Sequence, residues 1–193
     1  MLEILVTALV LSAPHDIDAD VARQNVAAAA AAASETGLPV ELLLAVAFVE
    51  SNYHPLSLSR MQCNKGTSCS CGKRNENCHR VTGMWSSEAA PPGARQSWYC
   101  GVMQSGGTVS WEECVRQREL YAGYLAGAEE ILRWEKNPRC ISLSGNENLI
   151  CALRGYNGGT PSIDGKWVDY VNSVTGVRAR IHYYVLRLAD PTT

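Results

Sequence analysis

A single phenylalanine in 193 residues leaves the aromatic load to eight tyrosines and five tryptophans. Those side chains pack, stack on sugar faces and hydrogen-bond with the same ring, which suits a carbohydrate groove without demanding one. Charge of one sign is also missing. With 17 Lys and Arg against 19 Asp and Glu, the net charge is -2, and the pI near 6.1 excludes an overall electrostatic pull toward nucleic acid or an anionic membrane. No apolar run approaches the roughly 20 residues that span a bilayer. Residues 2–13 are apolar apart from Glu3, Thr7 and Ser12, but they lack a basic leader, and Leu11 stands where cleavage after Ala13 would want a small residue. We expect this segment to remain and pack in the fold, with export by another route such as delivery inside a virus particle. Internal repeats and long alternating strands are absent too.

Cysteine is not scarce. The eight cysteines are Cys63, Cys69, Cys71, Cys78, Cys100, Cys114, Cys140 and Cys151. An even count this high in a short chain fits disulfides in an oxidising compartment. The group from Cys63 to Cys78, with His79 adjacent, could hold zinc instead. Structural zinc sites usually show paired C-x2-C knuckles, however, and here only Cys69-Ser70-Cys71 is close-paired. Disulfides are therefore favoured, with Cys140 to Cys151 the pair that sequence proximity suggests.

At 46% apolar residues the chain can bury one sizeable core and is too short for two full domains. Asp16, Asp18 and Asp20 offer N-caps for a helix through the alanine-rich stretch to Ser34, and Gly37 is placed to end it. Pro39 opens a second helix ending near Glu50. Between Ser57 and Pro92 the periodicity disappears and Cys, Gly, Asn and Ser dominate, as in an insertion held by cross-links with at most a small hairpin. Ser110 with Glu113 forms a capping-box pattern opening a long helix to about Trp134, before Asn137-Pro138. Ser144 with Glu147 repeats the signal ahead of a short helix over 148–154. From about Lys166, Val168, Val171, Val174, Val177, Ile181, Val185 and Leu188 form the stripe of a core-facing helix. The fold class is mainly α, a single domain with a helical segment over 1–37 and a cysteine-rich insertion at about 57–98.

Glu50 closes the apolar run Leu42-Leu43-Leu44-Ala45-Val46-Ala47-Phe48-Val49. A carboxylate on an apolar surface is costly, and beside a cleft its ionised form is disfavoured, which leaves a protonated acid for chemistry. Taken alone, the same residue also fits the solvated end of a core helix.

Four further segments bear on this. Glu50-Ser51-Asn52-Tyr53-His54-Pro55 with Ser59, then Gly101-Val102-Met103-Gln104, then Ala152-Leu153-Arg154-Gly155-Tyr156-Asn157-Gly158-Gly159, then Tyr170-Val171 occur in that order. Over roughly residues 38–188 this series resembles the soluble lytic transglycosylase family, whose fold is related to goose-type lysozyme. The resemblance implies a lysozyme-like single domain that cleaves peptidoglycan between N-acetylmuramic acid and N-acetylglucosamine. Glu50 would be the sole catalytic acid. It would protonate the bridging oxygen and then take the proton of the muramic acid 6-hydroxyl, giving a 1,6-anhydro end without water, whereas ordinary glycosidases need a second carboxylate about 5 to 9 Å away. Gly101, Val102, Met103 and Gln104 would line the glycan groove, with Met103 as an apolar floor. Tyr156 and Asn157 would face the acid, and Ser59 and Tyr170 would match further substrate-binding positions.

The chain departs from the family pattern at His54, where Asn is usual, at Val102, where Leu is usual, and at Arg154-Gly155, where small residues are usual. The insertion, with Lys65, Lys73, Arg74 and Arg80, has no assignable counterpart and reads as a solvated basic loop. The resemblance implies no cofactor and no metal. Expected partners are peptidoglycan strands and other virion or envelope proteins, not nucleic acid, in the periplasm, outside the cell or in a phage particle. The alternatives are a goose-type-lysozyme-like hydrolase, which would recruit Asp164 or Asp169, and a structural or wall-binding virion protein.

Overall fold

The computed structural model describes residues 2–13, 17–63, 78–85, 87, 98–106, 110–158 and 168–190, with side chains throughout except at 60–63 and 78–81. Helix α1 (Leu2–Ser12) is followed by α2 (Ala19–Thr36) and α3 (Val40–Ser51). Four strands come next: β1 (Ser57–Cys63), β2 (Cys78–Met84), β3 (Trp98–Cys100) and β4 (Ser105–Gly106). The chain continues through α4 (Trp111–Arg116), α5 (Leu120–Glu135), α6 (Asn146–Gly158) and α7 (Val168–Ala189). The protein is mainly α.

Local signals account for the first helices. The Asp18 carboxylate caps α2 by accepting from the N–H groups of Asp20 at 2.8 Å and Val21 at 3.3 Å. The helix ends at Gly37, whose N–H reaches the Ala33 carbonyl at 2.8 Å. Alanine keeps the face of α2 thin, so Ala22, Ala29 and Ala32 are buried beside Val26. Helix α3 is buried from Leu42 to Ala47 on every side, between α2, α5 and α7. Such an all-round apolar helix is the centre of a core rather than its lid. In α7 the stripe Val171, Val174, Val177 and Ile181 is buried as the spacing predicts, while Val168 and Leu188 at its ends are exposed. Helix α1 packs against α7 and α2 and inserts Leu5, Val6 and Leu9 into the same core, as expected for residues 2–13. No helix among the described residues is long and apolar enough to cross a membrane.

Beyond the anticipated hairpin, the strands form one antiparallel sheet of order β2-β1-β3-β4. Leu58 pairs with Gly83 on one side and Cys100 on the other. The sheet has a separate small core of Leu58, Trp98, Cys100 and Cys114, with Trp85 and Trp111 against it. The Cys100–Cys114 disulfide fastens the sheet to α4, and Cys140–Cys151 joins the loop after α5 to α6. The second is the pair that sequence proximity suggested. Among the described residues Cys100, Cys114, Cys140 and Cys151 are thus disulfide-bonded; the side chains of Cys63, Cys69, Cys71, Cys78 and His79 lie outside the described residues, as do Lys65, Lys73 and Arg74 and the side chain of Arg80.

Two expected helices differ. The long helix from Ser110 is broken at 117–119. Ser110 does cap α4, accepting from the Glu113 N–H at 3.2 Å, but at Gln117 the chain turns so that its carbonyl lies close against Gly101 and Gly123. Arg118 and Glu119 close tight turns onto Val115 and Arg116 at 3.2 Å each, and α5 restarts at Leu120. The break lets α4 serve the sheet while α5 serves the body. Conversely, the short helix over 148–154 extends to Asn146–Gly158, because Gly155 packs under the Trp134 ring and the helix carries on past it.

Candidate active site

Glu50 is half-buried at the last turn of α3. The helix ends there because Asn52 and Tyr53 adopt φ of 52° and 66°, returning their N–H groups to Phe48 at 2.9 Å and Ala47 at 3.4 Å. Asn tolerates this left-handed turn better than most side chains. Ser51, beside the acid, donates to the Val102 carbonyl at 2.6 Å, with the Ala47 carbonyl also at 3.1 Å. The end of the acid-bearing helix is thereby tied to the 101–104 turn.

That turn is held at its first three carbonyls. Gly101 has φ of 70° and lies so close to the Gln117 carbonyl that a Cβ would come within 2.3 Å of it. Its own carbonyl accepts from the Gln104 side-chain amide at 3.0 Å. The Val102 carbonyl accepts from Ser51, and the Met103 carbonyl accepts from the Tyr156 hydroxyl at 2.5 Å. Gln104, at φ 50°, is fixed by its side chain, which also donates to Ser57 O at 2.7 Å and accepts from the Ser59 hydroxyl at 2.9 Å. A non-glycine residue at positive φ persists only where surrounding bonds over-determine it, as they do here.

These contacts change what several sequence-identified residues do. Val102 and Met103 are completely buried, and the Met103 side chain fills a notch in α5 that exists because residue 127 is glycine; a Cβ there would lie 2.5 Å from Met103 Cβ. Met103 is therefore inside the body, not the exposed floor of a groove. Ser59 and Gln104 are buried and bonded to one another, so they brace the turn from within. Asn157 is half-buried beside Tyr156 on α6. Of the carboxylates that a hydrolase would recruit, Asp169 is exposed on α7 and Asp164 lies outside the described residues, with Gly159.

Two phenols lie close enough to Glu50 to feel its charge. Burial raises the pKa of Tyr156 well above the usual phenol value, and the charges of Glu130 and then Glu50 raise it further. Tyr170 is raised well above that value too, by burial first and then by the Glu50 charge. Both phenols therefore stay protonated, as neutral donors. The Tyr170 hydroxyl is buried and makes no hydrogen bond of ordinary geometry, although Glu50 is near enough to act on it as both a charge and an acceptor. The approach is longer or less well aligned than a formed hydrogen bond.

Three contributors escaped the sequence reading, Gln117, Gly127 and Glu130, and Ser51 figured there only as a member of the Glu50 segment. Gly123 and Gly127, four apart inside a helix, cost about 1 kcal/mol each against alanine, and that was the available signal of a close approach. Among the described residues no cluster of His, Cys, Asp and Glu has the makings of a metal site. In comparisons with known proteins, no family model, no curated protein and no solved structure matches the chain.

Proposed function

We propose that the protein is a peptidoglycan lytic transglycosylase with a lysozyme-like fold and Glu50 as its acid. The observation that carries the reading is the convergence of Tyr156 from α6 and Tyr170 from α7 on the half-buried carboxyl at the end of α3. It is supported by the order of the four sequence segments, which the fold gathers around the end of α3 and the turn braced against it.

In this reading Glu50 enters protonated and gives its proton to the bridging oxygen as the bond from muramic acid C1 breaks. Positive charge developing at C1 is met by the 6-hydroxyl oxygen of the same sugar. The Glu50 carboxylate takes the 6-hydroxyl proton as that oxygen bonds to C1. The acid is regenerated, the strand ends in a 1,6-anhydro sugar, and no water is consumed. Neutral phenols are the appropriate neighbours, because they add no charge: the Tyr156 hydroxyl is given to the Met103 carbonyl, and the Tyr170 hydroxyl is the one left to donate to the carboxylate.

Ser59, Gly101, Val102, Met103 and Gln104 then shape the site from behind. Asn157 and the surface near Tyr170 are the positions placed to meet sugar. The disulfides fit work outside the cytoplasm, in the periplasm, the medium or a phage particle, beside other virion or envelope proteins.

Digestion of purified peptidoglycan followed by mass spectrometry tests the chemistry. Fragments ending in 1,6-anhydro-muramic acid are expected; reducing muramic acid ends would assign a goose-lysozyme-like hydrolase instead. Binding without release of any fragment would leave the wall-binding virion protein.

A further inference from the structure

Glu130 is an acidic residue with only 14% of its side chain exposed, on a helix face otherwise given to close packing. Along α5 the positions 123, 127, 130 and 134 fall on one stripe at helical spacing. Gly123 meets Val102, Gly127 meets Met103, and Trp134 lies against Gly155 of α6. Glu130 sits between the last two contacts, so its place on the stripe is the gap bounded by Met103, Gly155 and Tyr156. The Tyr156 hydroxyl occupies the same gap, since it donates to the Met103 carbonyl. Glu130 weighs more than Glu50 at Tyr156, whereas Glu50 weighs more than Glu130 at Tyr170. Both carboxylates therefore act on one pair of phenols, Glu130 more on Tyr156 and Glu50 more on Tyr170, and the Tyr170 hydroxyl is buried without a well-formed bond.

We propose that Glu130 is a second carboxylate of the Glu50 site, a positioning residue that acts on the Glu50 proton across the Tyr156 and Tyr170 hydroxyls. The transglycosylase reading is needed only for what that proton is used for. The physical cause is like-charge repulsion in a partly dry site: a nearby negative charge opposes ionisation of Glu50 and so retains its proton. Arg133, 2.9 Å from Glu130 and 66% exposed, offsets part of that charge from the solvent side.

Other charged and titratable groups on the packed elements form a constant background. From α7 these are Tyr170, Arg180, whose charge reaches Tyr53, and His182, 3.6 Å from Glu41 of α3. Helix α6 supplies Tyr156 and the buried Arg154. Helix α5 adds Tyr124, bonded to Asn25 of α2, and Tyr121, bonded to Glu35 of α2. None of these changes in the variants below.

The test is a carbon-13 NMR titration of the Glu50 side-chain carboxyl in the full chain, assigned by comparison with Glu50→Gln. In Glu130→Gln the midpoint should fall by about 0.5 pH unit or more, roughly a threefold loss of proton affinity. In Arg133→Gln it should rise, and Glu130→Asp should keep it near that of the parent chain. An unmoved midpoint in a folded Glu130→Gln protein overturns the proposal. Should Glu130→Gln not fold, the exposed Arg133→Gln variant decides, and a midpoint that stays or falls there overturns it. The titration needs no turnover, so absence of wall cleavage would sink the transglycosylase reading and leave this result standing. Where cleavage is active, its alkaline limb should move down with the Glu50 midpoint in Glu130→Gln.

Discussion

Around α3 the helical body draws buried side chains from α1, α2, α5, α6 and α7 into one cluster, whereas the core of the β1–β4 sheet among the described residues is Leu58, Trp98, Cys100 and Cys114. Two of those four are a single disulfide. The body can hold itself by burial, because each fully buried aliphatic side chain contributes about 1.5–3 kcal/mol. The sheet has too few such side chains and leans on a cross-link and on a tilted Trp98–Trp111 pair with centroids 4.7 Å apart. Glu50 belongs to the body, and the turn that braces it spans both regions. Rigidity at the acid thus comes from the larger core, while the sheet is fastened to it through Ser57, Ser59 and Gln104.

Three substitutions sharpen that difference. The largest effect is expected at Leu44→Ala, which opens a cavity at a completely buried position of α3 and should cost about 2–5 kcal/mol in denaturant unfolding, with all probes moving together. The double change Cys100→Ser with Cys114→Ser should cost about 3 kcal/mol, given a sequence separation of 14 between the two cysteines. Its signature should be local: amide exchange should speed up in β1, β3 and α4 before α3 or α7. Uniform acceleration throughout would show that the two regions are one cooperative unit. Ser59→Ala should cost only about 1 kcal/mol, by removing the donor to the buried Gln104 oxygen. Wall cleavage should fall in that variant more than its small loss of stability explains, since the 101–104 turn loosens.

Features written in local signals were legible in the sequence. Asp18, Gly37, Ser110 and the valine stripe of α7 each specify their element within a turn or two of chain. Strands β3 and β4 were not, because three and two residues are too short for any alternation to register. The break at 117–119 was hidden for a different reason: it answers to a tertiary contact of the Gln117 carbonyl with Gly101, which no neighbouring residue announces. Within the site, Glu50, Tyr156 and Tyr170 stood out through their motifs. The inward placement of Met103 did not, since it depends on the hole left by Gly127 in another helix. Glu130 carried no motif at all, and its meaning comes from what α5 packs against.

Glu50→Gln tests the central claim most directly. The variant keeps the size and hydrogen-bonding shape of the side chain while removing its proton. It should melt and bind purified peptidoglycan like the parent chain, yet release fragments at least about 100-fold more slowly. Fragment release at the parent rate by the folded variant would contradict the account.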